Sequence, residues 1–169
     1  MKYFIIIITA IFLTIGDCEE HYPPVLYNQA CITQGFHSGH RAVDIGSYGG
    51  KRVNLYAIWN GTVLSTCDGA GDYDQKVCGI CGNFIDIRHN TVDIRYCHLT
   101  SGSIKVSKGA KVQRAQKIGV MGTSGNSTGV HLHIRVKEIS SGAVRDIRTR
   151  LELNGWRNCC GSFCGVFEV

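Results

Sequence analysis

The sequence has few of the features that mark helical, multidomain or nucleic-acid-binding chains. We find no internal repeat and no low-complexity linker, and 169 residues are enough for one compact domain but too few for two ordinary ones. No segment shows a sustained apolar period of 3.6 residues. The best candidate for a short helix is 143–155. The 18 basic residues are scattered and do not alternate with aromatics, so we expect no nucleic-acid partner.

A long apolar run occurs only at the N-terminus. Lys2 is followed by an apolar segment from Tyr3 to about Ile15, which is shorter than the roughly 20 residues of a membrane-spanning helix. This pattern is typical of a secretory signal peptide. We expect a signal at 1–18, removed after Gly16 or Cys18. The mature protein would then be secreted, extracellular and free of membrane attachment. We also expect it to be a monomer.

Cysteine, by contrast, is plentiful. Of the nine cysteines, eight remain if Cys18 is removed with the signal, and an even number in an exported chain predicts a disulfide framework whose pairing stays open. The "CGIC" stretch at 78–81 has the spacing of a redox or zinc-knuckle pair. Since it lies in what looks like an inserted loop (67–82) of an exported chain, we expect disulfides there. We expect the Cys-rich segment 156–169 to be a tail packed on the domain.

Glycine is also abundant (21), and turns separate short β-branched runs. Such a pattern predicts an antiparallel sheet and a mostly β fold with minor α. Segments 83–89 and 92–98 should form a hairpin. The predicted strands are 52–59, 61–66, 83–89, 91–99, 111–122 and 130–139.

Strand alternation also assigns faces within the second strand of that hairpin. Val92, Ile94 and Tyr96 should share the apolar, inward face, which His98 would end. Cys97 should point to the other side of the strand, away from His98.

Two histidines lie one residue apart in "STGVHLHIRV" (127–136). Alternation places His131 and His133 on the same side of a strand, about 7 Å apart. Upstream, "GHRAVDIG" contains His40 and Asp44, which are too far apart in a fully extended chain for joint ligation, about 13 Å. We therefore expect a bend at His40 that leads into a strand with Asp44. Two histidines and a carboxylate with an open fourth position describe a catalytic zinc site.

These segments together resemble the lysostaphin-type (LytM-like) zinc metalloendopeptidases. That family has H-x-x-x-D near its start, "YAHL" in the middle and G-x-T-G-x-S-T-G-x-H-L-H towards its end; the matching stretches here are "HRAVD", "YCHL" and "GTSGNSTGVHLH". "NLYAIWNGTVL" and "VSKGAKVQRAQKIGVMG" are similar to two further family segments. The resemblance spans about 36–155 and implies a peptidase domain at 19–155, of antiparallel barrel-sandwich type, with zinc in a groove.

The resemblance also implies residue roles. His40, Asp44 and His133 match the family's zinc ligands, with one Zn²⁺ per chain. His98 and His131 match the two catalytic histidines that do not bind the metal; we assign His131 as general base and His98 as transition-state stabiliser, an order that the residues leave open. Tyr96 and Asn83 are expected to border the groove. His37 is expected at its rim, and His89 in solvent.

The implied activity is hydrolysis of peptide bonds in bacterial peptidoglycan, in cross-bridge or stem peptides, with an antibacterial or wall-remodelling outcome. The first alternative is a non-catalytic secreted binding or signalling protein on the same zinc-binding scaffold. The presence of all five histidine and aspartate positions speaks against it. A small disulfide-rich toxin or lectin with incidental histidines is a third reading, and it predicts no bound metal.

Overall fold

A computed structural model describes residues 21–159. The signal-peptide prediction at 1–18 and the last ten residues of the tail, with Cys160 and Cys164, lie outside the described residues. Short 3₁₀ turns occur at Tyr27–Gln29, Tyr48–Gly50 and Gly79–Cys81. The strands and the helix of the described part are β1 (Ala30–Gln34), β2 (Val43–Ser47), β3 (Asn54–Tyr56), β4 (Gly61–Cys67), β5 (Asn83–Arg88), β6 (Val92–Leu99), β7 (Lys111–Val112), β8 (Lys117–Val120), β9 (His131–Glu138), β10 (Val144–Arg145) and α1 (Ile147–Arg150).

Most of these strands belong to one antiparallel sheet, in the order β1-β2-β9-β6-β5-β4-β7, with β10 added to β9. Strands β3 and β8 form a separate pair. The predicted mostly β fold with minor α is confirmed, and so is the hairpin of β5 and β6. No helix in residues 21–159 is long and apolar enough to cross a membrane.

The two faces of the large sheet differ in polarity. In β9, Leu132, Ile134 and Val136 are buried in the core, while the alternate side chains from His131 to Arg135 are half-buried on the other face. Because side chains alternate along a strand, the histidines of β9 must lie on the face opposite the core. The functional groups therefore sit on the outer face of a sheet whose inner face is packed.

Three predicted elements are shorter than expected. The segment 111–122 divides into β7, which pairs with β4, and β8, which pairs with β3. The break is a turn in which Gln116 N donates to Gln113 O, with a φ of +64° at Ala115. The strand predicted at 52–59 is only β3, and the helix candidate 143–155 is one turn capped by Asp146.

The first residues of the C-terminal segment pack on β1. The Trp156 indole N–H donates to the Val25 carbonyl at 3.2 Å, and its ring lies edge-on to Tyr27. Ile32 N donates to Arg157 O, and Cys159 N to Ile32 O, both at 2.8 Å. A disulfide joins Cys31 to Cys159 across 128 positions of sequence. Residues 156–159 are thus held by burial, by backbone pairing and covalently.

Replacing both members of this disulfide, Cys31→Ser with Cys159→Ser, should lower the free energy of unfolding by about 3–5 kcal/mol. The cross-link closes a long loop, so its removal returns much conformational entropy to the unfolded chain. Urea unfolding followed by circular dichroism measures the change. A loss below about 1 kcal/mol would mean that burial of Trp156 and the backbone pairing with β1 hold the segment without the disulfide.

Candidate metal centre

Strands β2 and β9 bring the predicted ligands together. In their antiparallel register Asp44 lies opposite His133, and Gly46 opposite His131, so that Asp44 and the two histidines share the outer face. His40 closes a tight turn in which His37 and His40 exchange two backbone hydrogen bonds of 3.0 Å. This turn is the bend that the sequence predicts before the strand with Asp44. It folds the His40 ring back over β2.

The donor atoms of His40, Asp44 and His133 converge on one small volume, all within 4.8 Å of one another. His40 Nε2 lies 3.2 Å from Asp44 Oδ1 and 3.4 Å from His133 Nδ1, and His133 Nδ1 lies 2.8 Å from Asp44 Oδ1. Ligands about 2.0–2.1 Å from a tetrahedral zinc are about 3.3–3.4 Å apart. The two separations from His40 Nε2 are close to this value, whereas His133 Nδ1 and Asp44 Oδ1 are closer because they are hydrogen-bonded to each other. Two imidazoles and a carboxylate are a donor set that suits such an ion.

Hydrogen bonds around the cluster orient the ligands. His40 Nδ1 donates to the Gly35 carbonyl at 3.1 Å, which leaves the lone pair of Nε2 directed at the cluster. Burial raises the pKa of Asp44, but the hydrogen bond from His133 and the charges of His133, His131 and His40 outweigh it, and the pKa lies below its usual range. Asp44 is therefore a carboxylate at neutral pH and supplies the negative charge that a divalent cation needs.

Two more histidines flank this cluster without joining it. His131 Nδ1 donates to the Gly129 carbonyl at 2.9 Å, and its Nε2 is 4.0 Å from Asp44 Oδ2. His98 Nδ1 donates to the Ser124 carbonyl at 2.7 Å. The ring centroid of His98 is 4.7 Å from that of His131 and 5.7 Å from that of His133. In each ring a carbonyl occupies Nδ1, so Nε2 is the nitrogen available to the site.

The sequence-based placement of His98 on the inward face is wrong, and so is the expectation that Cys97 points away from the site. Cys97 pairs directly with His133, so it lies on the same outer face as the cluster rather than away from it. His98 would then fall on the core side, but its φ of +64° interrupts the alternation and turns its ring to the cluster. The left-handed region costs a non-glycine residue about 1–2 kcal/mol. The sequence pattern contains no sign of this turn.

Burial, and then the neighbouring His131, lower the pKa of His98 to about 4. The ring is consequently neutral at pH 7. Because Nδ1 carries the proton donated to Ser124, Nε2 carries a lone pair in this state. His98 is an acceptor towards the site until it receives a second proton.

This shift predicts acid sensitivity of the metal-free protein. The ordinary pKa of about 6.5 applies to the unfolded chain, so below that pH the unfolded state binds a proton that the folded state refuses until about pH 4. His98 should therefore lower the free energy of unfolding by up to about 3 kcal/mol as the pH falls from 6.5 to 4. Urea unfolding of wild type and His98→Gln across this range measures the difference. Parallel curves for the two proteins would contradict it.

Several other sequence-based placements differ from the structure. Tyr96 and Asn83 are fully buried, so neither borders the groove. His89 is only 2% exposed and its Nδ1 donates to the Asn60 carbonyl, contrary to the solvent position expected for it. His37 is exposed, with its ring 5.8 Å from that of His40, and lies outside the ligand cluster as expected. The carbonyls of Gly35, Ser124 and Gly129 carry no side-chain signal and escape sequence reasoning.

The inserted loop is cross-linked as expected, though the pairing could not be foreseen. The two cysteines of "CGIC" belong to different disulfides, Cys67–Cys78 and Cys81–Cys97. The second of these joins the loop to the residue before His98. The pair is therefore neither a redox motif nor a zinc knuckle.

Comparisons with known proteins identify the family of the chain. The profile of peptidase family M23 matches residues 38–145. Peptidoglycan DD-endopeptidase ShyB of Vibrio cholerae serotype O1 is 43% identical over 86 residues, which cover 46% of this chain and 20% of that protein. The chain thus spans about a fifth of the length of this curated relative.

Solved structures show the same fold. A zinc-containing peptidase from Vibrio cholerae is 29% identical, with a TM-score of 0.55 over 73% of this chain and 37% of that one. The catalytic domain of lysostaphin from Staphylococcus simulans is 24% identical, with a TM-score of 0.52 over 73% of this chain and 89% of that one. The predicted lysostaphin-type resemblance is confirmed, and the chain belongs to peptidase family M23.

Proposed function

We propose that this protein is a secreted, zinc-dependent endopeptidase that hydrolyses peptide bonds in the cross-bridges or stem peptides of bacterial peptidoglycan. The observation that carries the proposal is the cluster of His40, Asp44 and His133 with two further imidazoles beside it. Membership of a peptidase family and similarity to a peptidoglycan DD-endopeptidase support the choice of substrate. The expected outcome is bacterial killing or wall remodelling.

His40 Nε2, Asp44 Oδ1 and His133 Nδ1 would hold the zinc, and the proton that His133 Nδ1 donates to Asp44 in the metal-free protein would be displaced from that nitrogen. A protein-bound zinc lowers the pKa of water to about 7 and polarises the carbonyl of a scissile amide. The donor set fits this ion because two imidazoles and one carboxylate leave a fourth position open, as in catalytic rather than structural sites. The proposed stoichiometry is one zinc per chain.

His131 is assigned as general base. Its Nε2 takes a proton from the attacking water and returns it to the leaving amine. Once protonated, the ring lies beside Asp44 Oδ2, 4.0 Å from Nε2, and the carboxylate stabilises the positive charge. The Gly129 carbonyl holds Nδ1 throughout, so the ring cannot turn away during the transfer.

His98 is assigned the second role, stabilisation of the transition state. Its buried ring is neutral at the start, so Nε2 first accepts a hydrogen bond. In this state Nε2 stabilises the transition state by accepting a hydrogen bond from the hydroxyl group that the attacking water contributes. The 4.7 Å between the His98 and His131 rings places the two imidazoles close enough to act on the same reacting atoms.

Purified sacculi with different cross-bridge types test the proposal. Refolded protein from Glu19 onward is incubated with each, with a chelator, without it, and with chelator followed by zinc. Mass spectrometry of the soluble fragments then identifies the new amino groups. Release that the chelator stops and zinc restores is expected. Stoichiometric zinc binding without cleavage of any sacculus would contradict the proposed enzyme and favour a non-catalytic binding protein on the same scaffold.

A further inference from the structure

The loop 68–82 between β4 and β5 is tied to the catalytic region by a covalent bond. Cys67–Cys78 closes the loop on its own base, whereas Cys81–Cys97 joins its end to β6. Cys97 immediately precedes His98, and Cys81 immediately precedes Gly82. The second disulfide therefore restrains the backbone on the N-terminal side of His98.

The same loop packs against the segment 122–126, which we term the glycine-serine segment. Tyr73 N donates to Thr123 O and Asn126 N to Ile80 O, both at 2.8 Å. At their closest approach a Cβ on Gly82 would overlap the backbone of Ser124, and one on Gly125 would overlap the amide of Gly82. The two backbones touch without a side chain between them, so displacement of one displaces the other.

Ser124 is the residue of that segment that holds His98. Its hydroxyl accepts a hydrogen bond from Asn83 N at 2.9 Å and donates to Leu99 O at 2.8 Å. The buried Asn83 amide also donates to Leu99 O, at 2.9 Å. Ser124 is therefore bound both to the residue that follows the loop and to the residue that follows His98. Its carbonyl accepts the Nδ1 proton of His98.

These contacts form a closed ring that runs from His98 through Cys97, Cys81, Gly82, Asn83 and Ser124 back to the His98 side chain. We propose that the Cys81–Cys97 disulfide is a positioning element for the catalytic reaction, which keeps His98 in its left-handed conformation with Nδ1 on Ser124 and Nε2 towards the metal cluster. The role differs from general stabilisation because one bond of the ring acts on the backbone next to His98. The inference rests on the proposed function only as far as His98 takes part in catalysis.

The physical need for such a ring follows from the backbone of His98. A non-glycine residue leaves the left-handed region unless its surroundings prevent it. If this ring of contacts opens, His98 can relax to an extended φ. Its side chain then returns to the core side of β6, because the alternation of side chains resumes. The metal ligands lie on β2, on β9 and on the turn before β2, outside this ring, so metal binding should survive its opening.

The test compares two double variants in the same loop. Cys81→Ser with Cys97→Ser opens the ring of contacts. Cys67→Ser with Cys78→Ser also removes a disulfide from the loop but leaves the ring of contacts intact. In the metal-free proteins, long-range ¹H–¹⁵N spectra report which His98 nitrogen carries the proton. We expect the Nδ1–H signal of His98 in wild type and in the control, and its loss in the ring variant. With zinc restored, kcat on the cleaved sacculus peptide should fall about 10–100-fold in the ring variant, with KM within about twofold.

Ser124→Ala opens the same ring without cysteine chemistry, because it removes the hydroxyl that joins Asn83 to Leu99. If the variant with Cys81→Ser and Cys97→Ser does not fold, Ser124→Ala tests the positioning role in its place. The same loss of the Nδ1–H signal of His98 is expected. An unchanged His98 signal with kcat equal to that of the control would overturn the proposal. If wild type cleaves no sacculus, the proposed function fails, whereas the spectra of the metal-free proteins still test the positioning role.

Discussion

His133→Ala is expected to reduce bound zinc from one ion per chain to almost none, and activity at least about 10³-fold. The variant removes one of three ligands whose donor atoms lie 2.8–3.4 Å apart, and two ligands alone do not hold a catalytic zinc. The reaction then loses the several kcal/mol of charge stabilisation that a metal supplies, at 1.36 kcal/mol for each tenfold in rate. Metal content by mass spectrometry and peptide release from sacculi measure both effects.

His37→Ala is the matched control for this prediction. His37 is a histidine three residues from His40, with its ring 5.8 Å from that ligand, but it is exposed and lies outside the cluster. Zinc content and activity should stay within about twofold of wild type. Equal losses in the two variants, or full zinc binding by His133→Ala, would show that the metal is held elsewhere.

The second large effect is expected for His131→Ala, with kcat reduced by about 10²–10⁴-fold while zinc remains bound. General acid–base catalysis contributes a factor of this size, and His131 is proposed to perform it. Its Nε2 lies 4.0 Å from Asp44 Oδ2 and outside the ligand cluster, so the metal should keep its three protein ligands. Steady-state kinetics with metal analysis separates this variant from His133→Ala.

Loss of zinc in His131→Ala would instead make His131 a ligand. A fall of less than tenfold in kcat would transfer the role of general base to His98, whose own alanine variant should then show the larger loss. His37→Ala again serves as control for the removal of an imidazole near the site.

The ligand cluster illustrates how much of a site strand alternation can predict. His131 and His133 on one face and the bend at His40 both follow from the extended geometry of a strand and from chain reach, and the structure shows both. His98 illustrates the limit. Alternation assumes an extended φ at every residue, and the left-handed φ of His98 turns its ring to the outer face, where Cys97 already lies in accordance with alternation.

Burial shows a similar limit. Asn83 and Tyr96 are expected from the sequence to border the groove, but both are fully buried. Asn83 is enclosed because its amide satisfies the backbone of Ala70 and Leu99 in the interior. A polar side chain whose partners are backbone groups distant in sequence gives no local pattern that would predict its burial.

The sequence by itself determined the family and the mostly β class and predicted five site residues, because these depend on residue types and short-range spacing. The tertiary structure decided the disulfide pairing, the side of the sheet to which His98 turns, and the carbonyls that orient His40, His98 and His131. Cysteines can pair only where folding brings their Cα atoms to within about 4.4–6.8 Å, and a carbonyl acceptor exists at every residue alike. Such contacts join positions far apart in the chain, and only the folded backbone selects them.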